Sequence, residues 1–318
     1  MGLWQKLFGW LNPSAPTAAL PADGAAAPSQ PAVEPAFDGQ PLPPGDVLDG
    51  AAAAASAVDA PAVTAAHQAD LFEAGAADSS ADDALRAVQP PPPIQAPWFS
   101  PALQGVLSVY AGMAWERQID FSEKIGERPW SVDMSTGRIQ FGDDLPFSMQ
   151  VLGTYALQSG TWQWIWAHTQ APVAPAFTEV AKQLRSFGAE QKLALLTQPR
   201  TEMDEQDLHL IGLIASGADE SAGYYLGNYG EGVMLVLVDP GHGLPVARHA
   251  PERVISTVPQ VISQFDVDHR VLLQHYLEAK GFAVQEVGQQ IMGQQGSQRI
   301  IAELDAQGRI ASLNGKLG

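Results

Sequence analysis

Hydrophobic and polar positions follow two periods between residues 100 and 317, and these periods predict helices interleaved with antiparallel strands. Helical spacing with end signals predicts helices that start at Ser100-Pro101, Pro175, Thr201, Pro251 and Asp268. Period-two patterns and turn residues predict strands in residues 130–141, 145–157, 161–167, 224–239 and 282–317. This order, without βαβ alternation, predicts an α+β fold in which an antiparallel sheet packs against several helices.

Several boundaries follow from individual residues. Gly188 is expected just after the end of the helix that starts near Pro175. Thr201-Glu-Met-Asp204 has the pattern of a capping box, so Thr201 is expected to begin the next helix. Pro259 is expected to kink or split the helix that starts at Pro251.

The most informative pattern is the alternation of Trp162, Trp164 and Trp166 in a predicted hairpin. On one strand all three indoles point to the same face, and each ring can bury about 150–250 Å². This face is too large to stay exposed on a typical monomer, so it is covered by the protein or by a ligand. We expect the helix at residues 103–114 to cover it; the alternative is a ligand or partner surface formed by the three tryptophans and Tyr155.

Residues 12–96 differ in composition from the rest of the chain. From residue 12 to 95 there are 14 of the 25 prolines, 11 acidic residues and one basic residue, Arg86. Such a segment buries too little apolar surface to offset the entropy of ordering it. We therefore predict a disordered acidic Ala/Pro-rich linker over residues 12–96 and a single α+β globular domain over residues 97–318.

The first eleven residues form a separate pattern, a short amphipathic helix that Pro13 would end. The free energy gained by burying its apolar side chains is about equal to the entropic cost of ordering about ten residues, so docking would be reversible. A net charge of −18 disfavours an anionic membrane, although peripheral contact stays open, and favours an unidentified protein partner. A helix that docks on nothing is the third alternative. The predicted docking face consists of Leu3, Trp4, Leu7, Phe8 and Leu11.

Charge and cysteine content restrict the function classes. The acidic balance and scattered basic residues argue against nucleic-acid binding. The absence of cysteine excludes thiolate catalysis and zinc–thiolate sites. The chain also has no run of 18 apolar residues, and the two absences together favour a cytoplasmic location. His269 and His275 are about 240° apart on their predicted helix, so they cannot chelate together. No motif indicates a metal or cofactor, and we expect neither.

One family resemblance rests on the segment Gln150-Val-Leu-Gly-Thr-Tyr155 followed by Gly160-Thr-Trp-Gln-Trp-Ile-Trp-Ala167. Together with Ser186-Phe187-Gly188 and Gly223-Tyr224-Tyr225, it resembles DUF6882, a bacterial family of unknown function, over roughly residues 98–239. This chain has His168 where the family pattern leads us to expect Asn. The resemblance implies a common fold and supplies no mechanism.

The remaining candidate chemistry is Asp239-Pro-Gly-His242, which follows a predicted central strand. Asp239 and His242 could form an acid–base pair, but the same residues also make an ordinary turn. The sequence therefore favours a non-enzymatic protein-interaction module on a flexible tether. The alternative is a small-ligand-binding protein or a hydrolase-like enzyme with a pocket near the Trp hairpin or the Asp239/His242 turn.

Overall fold

The computed structural model describes residue 91 and residues 94–169, 173–239 and 252–316. The predicted N-terminal docking face, nearly all of the predicted linker, and His242 lie outside the described residues.

Six α-helices lie in the described part of the chain. The first, α1, begins where Ser100 accepts a hydrogen bond from the Leu103 N–H at 3.2 Å, with Pro101 in the first turn, as predicted. Asp268 caps the sixth helix in the same way. The helices are α1 Pro101–Ile125, α2 Glu179–Gln191, α3 Ala194–Thr197, α4 Leu208–Asp219, α5 Glu252–Gln264 and α6 His269–Ala279.

Eleven strands in the described residues form two antiparallel sheets, which confirms the predicted α+β class. The first sheet has seven strands: β1 Trp130–Asp133, β2 Arg138–Phe141, β3 Leu145–Ala156, β4 Thr161–Trp164, β5 Arg200–Glu202, β6 Gly223–Asn228 and β7 Gly232–Val238. The second has four strands in chain order: β8 Ala283–Val287, β9 Gln290–Gln295, β10 Gln298–Leu304 and β11 Ile310–Lys316.

Strand β3 organises the first sheet. Its first four residues pair with β2, its last four pair with β4, and residues 149–156 pair with β7. All residues of β7 are buried, since β7 pairs with β3 on one edge and β6 on the other. The prediction of a central strand here is confirmed.

The register between β3 and β7 shifts between Val151 and Gly153, so Leu152 sits in a β-bulge. Gly153 is required there because a Cβ would lie 2.3 Å from the Gln163 carbonyl oxygen and 2.7 Å from the Trp162 ring. The Leu-Gly-Thr pattern of the sequence is therefore a bulge that lets one strand pack against the indole of its neighbour.

Helix α1 packs against α4, α5, α6 and β6. Its buried Gln118 carboxamide donates to the Tyr224 carbonyl at 3.0 Å and accepts from the Tyr224 N–H at 2.8 Å. Among the described strands β6 pairs only with β7, so this side chain occupies backbone groups at the edge of the sheet.

A buried ionic cluster joins α1 to the C-terminal helices. Glu116, 2% exposed, accepts two hydrogen bonds from the Lys280 ammonium at 2.9 and 2.7 Å and one from the Tyr276 hydroxyl. Arg253 Nε lies 3.5 Å from the same carboxylate, and its guanidinium also donates to Asp120. Burial raises the pKa of Tyr276 well above its usual value, and the charge of Glu116 raises it further. The cluster satisfies buried charges and therefore fixes how the helices pack.

The structure corrects several predicted boundaries. Strand β4 ends at Trp164, and a 3₁₀ turn over Ile165–Ala167 replaces the rest of the predicted strand. Helix α2 runs through Gly188, which packs against Leu196, and ends at a left-handed Lys192. Thr201 lies in β5, and the capping box is one turn later.

That capping box uses Asp204 and Asp207 and begins the turn that leads into α4. Pro259 lies inside α5 without splitting it.

Candidate functional site

Trp162 and Trp164 lie on one face of β4, as predicted, and both side chains are fully buried. Their ring centroids are 5.3 Å apart in an edge-to-face arrangement. The Trp164 indole N–H donates to the Leu195 carbonyl at 2.9 Å. Helix α3 therefore covers part of this face, whereas the sequence analysis predicted that the helix at residues 103–114 would cover it.

Tyr155, the fourth residue of the predicted ligand surface, is also part of the core. Its side chain is 5% exposed, and its hydroxyl donates to the Met203 carbonyl at 3.0 Å. Burial raises its pKa, with a further contribution from the charge of Glu205. Trp162, Trp164 and Tyr155 thus pack the domain, and none of the three offers an open ring face to a ligand.

Trp166 differs from the other two tryptophans because the strand ends before it. It lies in the 3₁₀ turn, half-buried, and stacks nearly parallel to Trp164 with centroids 6.3 Å apart. The guanidinium carbon of Arg185, an exposed residue of α2, lies 4.3 Å from the centroid of the Trp166 ring. This is a cation–π contact at the protein surface.

A second exposed arginine contacts the same stretch of chain. Arg200 on β5 donates from Nε to the Gln163 side-chain oxygen at 3.1 Å. That amide in turn donates to the Ala167 carbonyl at 3.3 Å, which ties the side chain to the 3₁₀ turn. Gln163 thus orients the guanidinium of Arg200, whose two terminal nitrogens can bind a carboxylate in the bidentate manner.

His168 follows the turn and lies half-buried, with Nε2 3.3 Å from the Thr154 hydroxyl. Burial lowers its pKa; a backbone hydrogen bond to Gln163 raises it, and the charge of Arg200 lowers it further. The net effect is a lowered pKa, so the imidazole is neutral near pH 7.

We call Trp166 and Arg185 the post-β4 surface, which combines an aromatic ring with an exposed guanidinium group. Arg200 pairs with Gln163, whose side chain lies on the opposite face of β4 from Trp162 and Trp164, so Arg200 is not part of this surface. Residues 97–318 include 24 acidic and 15 basic residues, so an exposed arginine on a half-buried tryptophan is a local departure from their overall charge. The chemistry of this surface suits acidic groups and apolar side chains.

Only Trp166 of this surface was a predicted site residue. Arg185 carries a weak sequence signal, since it lies on the helix that follows the Trp motif. Arg200 carries none, because its position depends on the pairing of β4 with β5.

Asp239 lies at the exposed end of β7, where its N–H donates to the Ser148 carbonyl at 3.0 Å. Burial raises the pKa of the nearby Asp219, and a hydrogen bond from Ser221 opposes this increase. The charge of Asp239 raises the pKa of Asp219 further. The structure therefore brings Asp239 near another carboxyl group, Asp219, which the sequence pattern did not indicate. The predicted partner His242 lies outside the described residues.

Metal sites and membrane spans were not found over the described ranges. Within residues 94–169, 173–239 and 252–316, no group of three or more His, Asp or Glu side chains is arranged to hold a metal ion. Across the same ranges, none of the helices combines the length and apolarity needed to cross a bilayer.

The fold and this site define an α+β protein whose tryptophan motif ends in a mixed aromatic and basic surface turn. The family model of DUF6882, a family of unknown function, matches residues 104–240, which confirms the predicted resemblance. The matched segment extends from α1 through β7; α5, α6 and the second sheet lie beyond it. No curated protein and no solved structure matches the chain.

Proposed function

We propose that this chain is a protein-binding module without enzymatic activity, and that the post-β4 surface is where it binds an acidic partner segment. The observation that carries the proposal is the contact of exposed Arg185 with the half-buried Trp166 ring. Tryptophan and arginine are among the residue types most enriched at energetically dominant interface positions.

The way these side chains are held in place supports binding in addition to their chemistry. Trp166 is held by stacking on buried Trp164, and the Arg185 guanidinium lies over its ring. Little side-chain entropy remains to be lost when a partner binds, so more of the contact energy appears as affinity.

The direct test is a titration of the full-length protein with two synthetic peptides of the same length. One contains Leu and Phe flanked by Glu, and the other has Lys in place of each Glu. Calorimetry is expected to detect binding of the Glu peptide alone. Arg185→Ala is expected to weaken that binding at least tenfold.

A matched control removes one exposed arginine from the second sheet, Arg299→Ala. This variant has the same net charge as Arg185→Ala and should bind like the wild type. Equal binding of both peptides, or equal loss in both variants, would contradict the proposal.

A second candidate function, hydrolase-like acid–base chemistry, is favoured by one observation, the proximity of Asp239 to the raised-pKa carboxyl of Asp219. A carboxyl group with a raised pKa can act as a general acid. Turnover of a generic carboxylic ester that Asp219→Asn abolishes and Asp143→Asn preserves would support this function over the first.

Two parts of the sequence interpretation remain proposals. One is the docking of the apolar face of residues 3–11 on a protein partner, and the other is a cytoplasmic location. The first is supported by the net charge of −18, and the second by the absence of cysteine.

A further inference from the structure

Strand β5 lies at an edge of the first sheet, because among the described strands it pairs only with β4. Just before β5, the Pro199 carbonyl accepts a hydrogen bond from the Trp164 N–H at 3.2 Å. Bonded and non-bonded residues alternate along an antiparallel ladder, so Thr201 is the next residue that bonds to β4. Arg200 and Glu202 therefore direct their backbone N–H and C=O groups away from β4, toward the open edge.

This edge differs from the edge that β6 forms. There the Gln118 carboxamide bonds to both the N–H and the C=O of Tyr224 and so occupies the backbone groups of the strand. Over the described ranges, no side chain bonds in this way to the backbone of Arg200 or Glu202. An edge left open in this manner can pair with a strand of another chain.

The side chains of β5 carry opposite charges at its two ends. Arg200 and Glu202 lie on the same face of the strand and are exposed, whereas Thr201 between them points to the other face and is 6% exposed. Arg200 uses Nε to donate to the Gln163 side-chain oxygen at 3.1 Å. Its two terminal nitrogens therefore stay oriented for a carboxylate.

The order of these charges makes β5 complementary to itself. When Arg200-Thr201-Glu202 pairs antiparallel with an identical strand in the register that sets Thr201 opposite Thr201, each arginine lies opposite a glutamate. The same register brings the outward N–H and C=O groups of each strand against those of the other. Opposite charges directly across a strand pair stabilise the pairing.

We propose that two copies of this chain associate through β5, antiparallel, with Thr201 on the two-fold axis. The backbone groups of Arg200 and Glu202 extend the sheet from one copy into the other, and the Arg200 side chain of each copy pairs with Glu202 of the other. The contact does not use the post-β4 surface, so it stands apart from the proposed function. A two-fold dimer is the commonest symmetric assembly of identical chains.

Sedimentation velocity of the full-length protein tests whether the dimer forms. The paired strands contribute three residues from each copy, and interfaces this small associate weakly and reversibly. We expect the dimer fraction to rise with protein concentration across the micromolar to millimolar range. A monomer at every concentration would overturn the proposal.

Charge variants locate the contact. Arg200→Glu sets two carboxylates opposite each other at both ends of the strand pair and should weaken the dimer at least tenfold. Adding Glu202→Arg to Arg200→Glu reverses both charges and should restore the dimer. The control Arg299→Glu changes an exposed arginine of the second sheet, makes the same change in net charge, and should leave the dimer intact.

A mixture of two single variants gives the sharpest test. Neither Arg200→Glu nor Glu202→Arg should dimerise alone, because each sets like charges together. Mixed in equal amounts they should form a heterodimer, since the carboxylates of one variant then lie opposite the guanidinium groups of the other. Absence of a dimer both in the mixture and in the doubly substituted protein would overturn the proposal.

Thermal melts show whether each variant keeps its fold. If Arg200→Glu melts early because its bond to Gln163 is lost, Glu202→Lys replaces it, with the exposed Glu303→Lys of the second sheet as the control. Glu202→Lys should weaken the dimer at least tenfold and Glu303→Lys should not. A dimer that Glu202→Lys leaves unchanged would place the contact elsewhere and overturn the proposal.

Discussion

At the scale of single residues, the indole N–H groups of the two core tryptophans have different surroundings. The Trp164 N–H donates to the Leu195 carbonyl, whereas the buried Trp162 N–H has no hydrogen-bond partner among the described residues. Truncation of either ring to alanine is expected to cost ~3–5 kcal/mol. The milder change to phenylalanine distinguishes them.

We predict that Trp164→Phe lowers the free energy of unfolding by at least about 1 kcal/mol more than Trp162→Phe, because only the former leaves a buried carbonyl without its donor. Chemical denaturation of the two variants, which lose the same number of ring atoms, gives the comparison directly. Equal losses would show that the Leu195 contact contributes nothing.

A second residue-scale prediction concerns Asp133 in the turn between β1 and β2. Hydrogen bonds from the Ser135 hydroxyl, then from the Thr136 hydroxyl, lower the pKa of this carboxyl from 3.8 to about 2. A lowered pKa in the folded state stabilises the protein above the unfolded-state pKa, and this stabilisation is lost as the pH falls through the folded-state value.

Asp133→Asn should therefore melt earlier than the wild type at pH 7, and the difference should shrink as the pH is lowered from about 4 toward 2. The exposed Asp143→Asn serves as a control, since that side chain makes none of these turn contacts. A difference independent of pH would exclude the carboxylate as its cause.

Some residue roles could be read from the sequence and others could not. The caps Ser100 and Asp268 were predictable because they depend on contacts within one turn. The surface position of Trp166 was not, because alternation assumes a continuing strand and the chain turns at Ile165 instead.

At the scale of elements, helix α1 offers two glycines in the same secondary structure with different surroundings. A Cβ on Gly112 would lie 2.6 Å from Cγ of the buried Tyr276, whereas a Cβ on Gly105 meets no atom within 4 Å. Gly105→Ala is predicted to stabilise the protein by about 0.5–1 kcal/mol through helix propensity.

Gly112→Ala gains the same propensity but forces α1 and α6 apart, and overpacking of this kind costs ~1–3 kcal/mol. Thermal denaturation of both variants checks the prediction. Stabilisation by both substitutions would mean that the α1–α6 contact is looser than the structure shows.

Most elements were predictable, and the errors came from interactions between elements. Helix α2 continues through Gly188 because Leu196 of α3 packs against that glycine, a contact that local sequence rules cannot include. Similarly, Thr201 has a capping pattern but pairs with Trp162 in the sheet, so strand pairing overrides the local signal. The β6–β7 hairpin was predictable because its apolar residues are consecutive and its turn is rich in glycine.

At the scale of the whole molecule, the buried Glu116–Lys280 pair joins the segment matched by the DUF6882 model to helices beyond it. Lys280→Met removes the ammonium and leaves a buried carboxylate, which is expected to cost ~3–5 kcal/mol. The exposed Lys182→Met, which breaks a surface pair with Glu179, is expected to cost at most ~1 kcal/mol.

Adding Glu116→Leu to Lys280→Met should recover most of the loss, since no unpaired buried charge remains in that position. Hydrogen exchange of Lys280→Met is expected to show residues 252–316 losing protection together with α1. Loss confined to residues 252–316 would indicate that the two parts unfold separately.

The central claim is that the post-β4 surface binds an acidic apolar segment through Arg185, and a charge exchange tests it most directly. Arg185→Glu should lower the affinity for the peptide in which Glu flanks Leu and Phe, and raise the affinity for the peptide with Lys in place of each Glu. That exchange of preference, measured by calorimetry, is the result that this account predicts. An Arg185→Glu variant that still prefers the Glu peptide would contradict it.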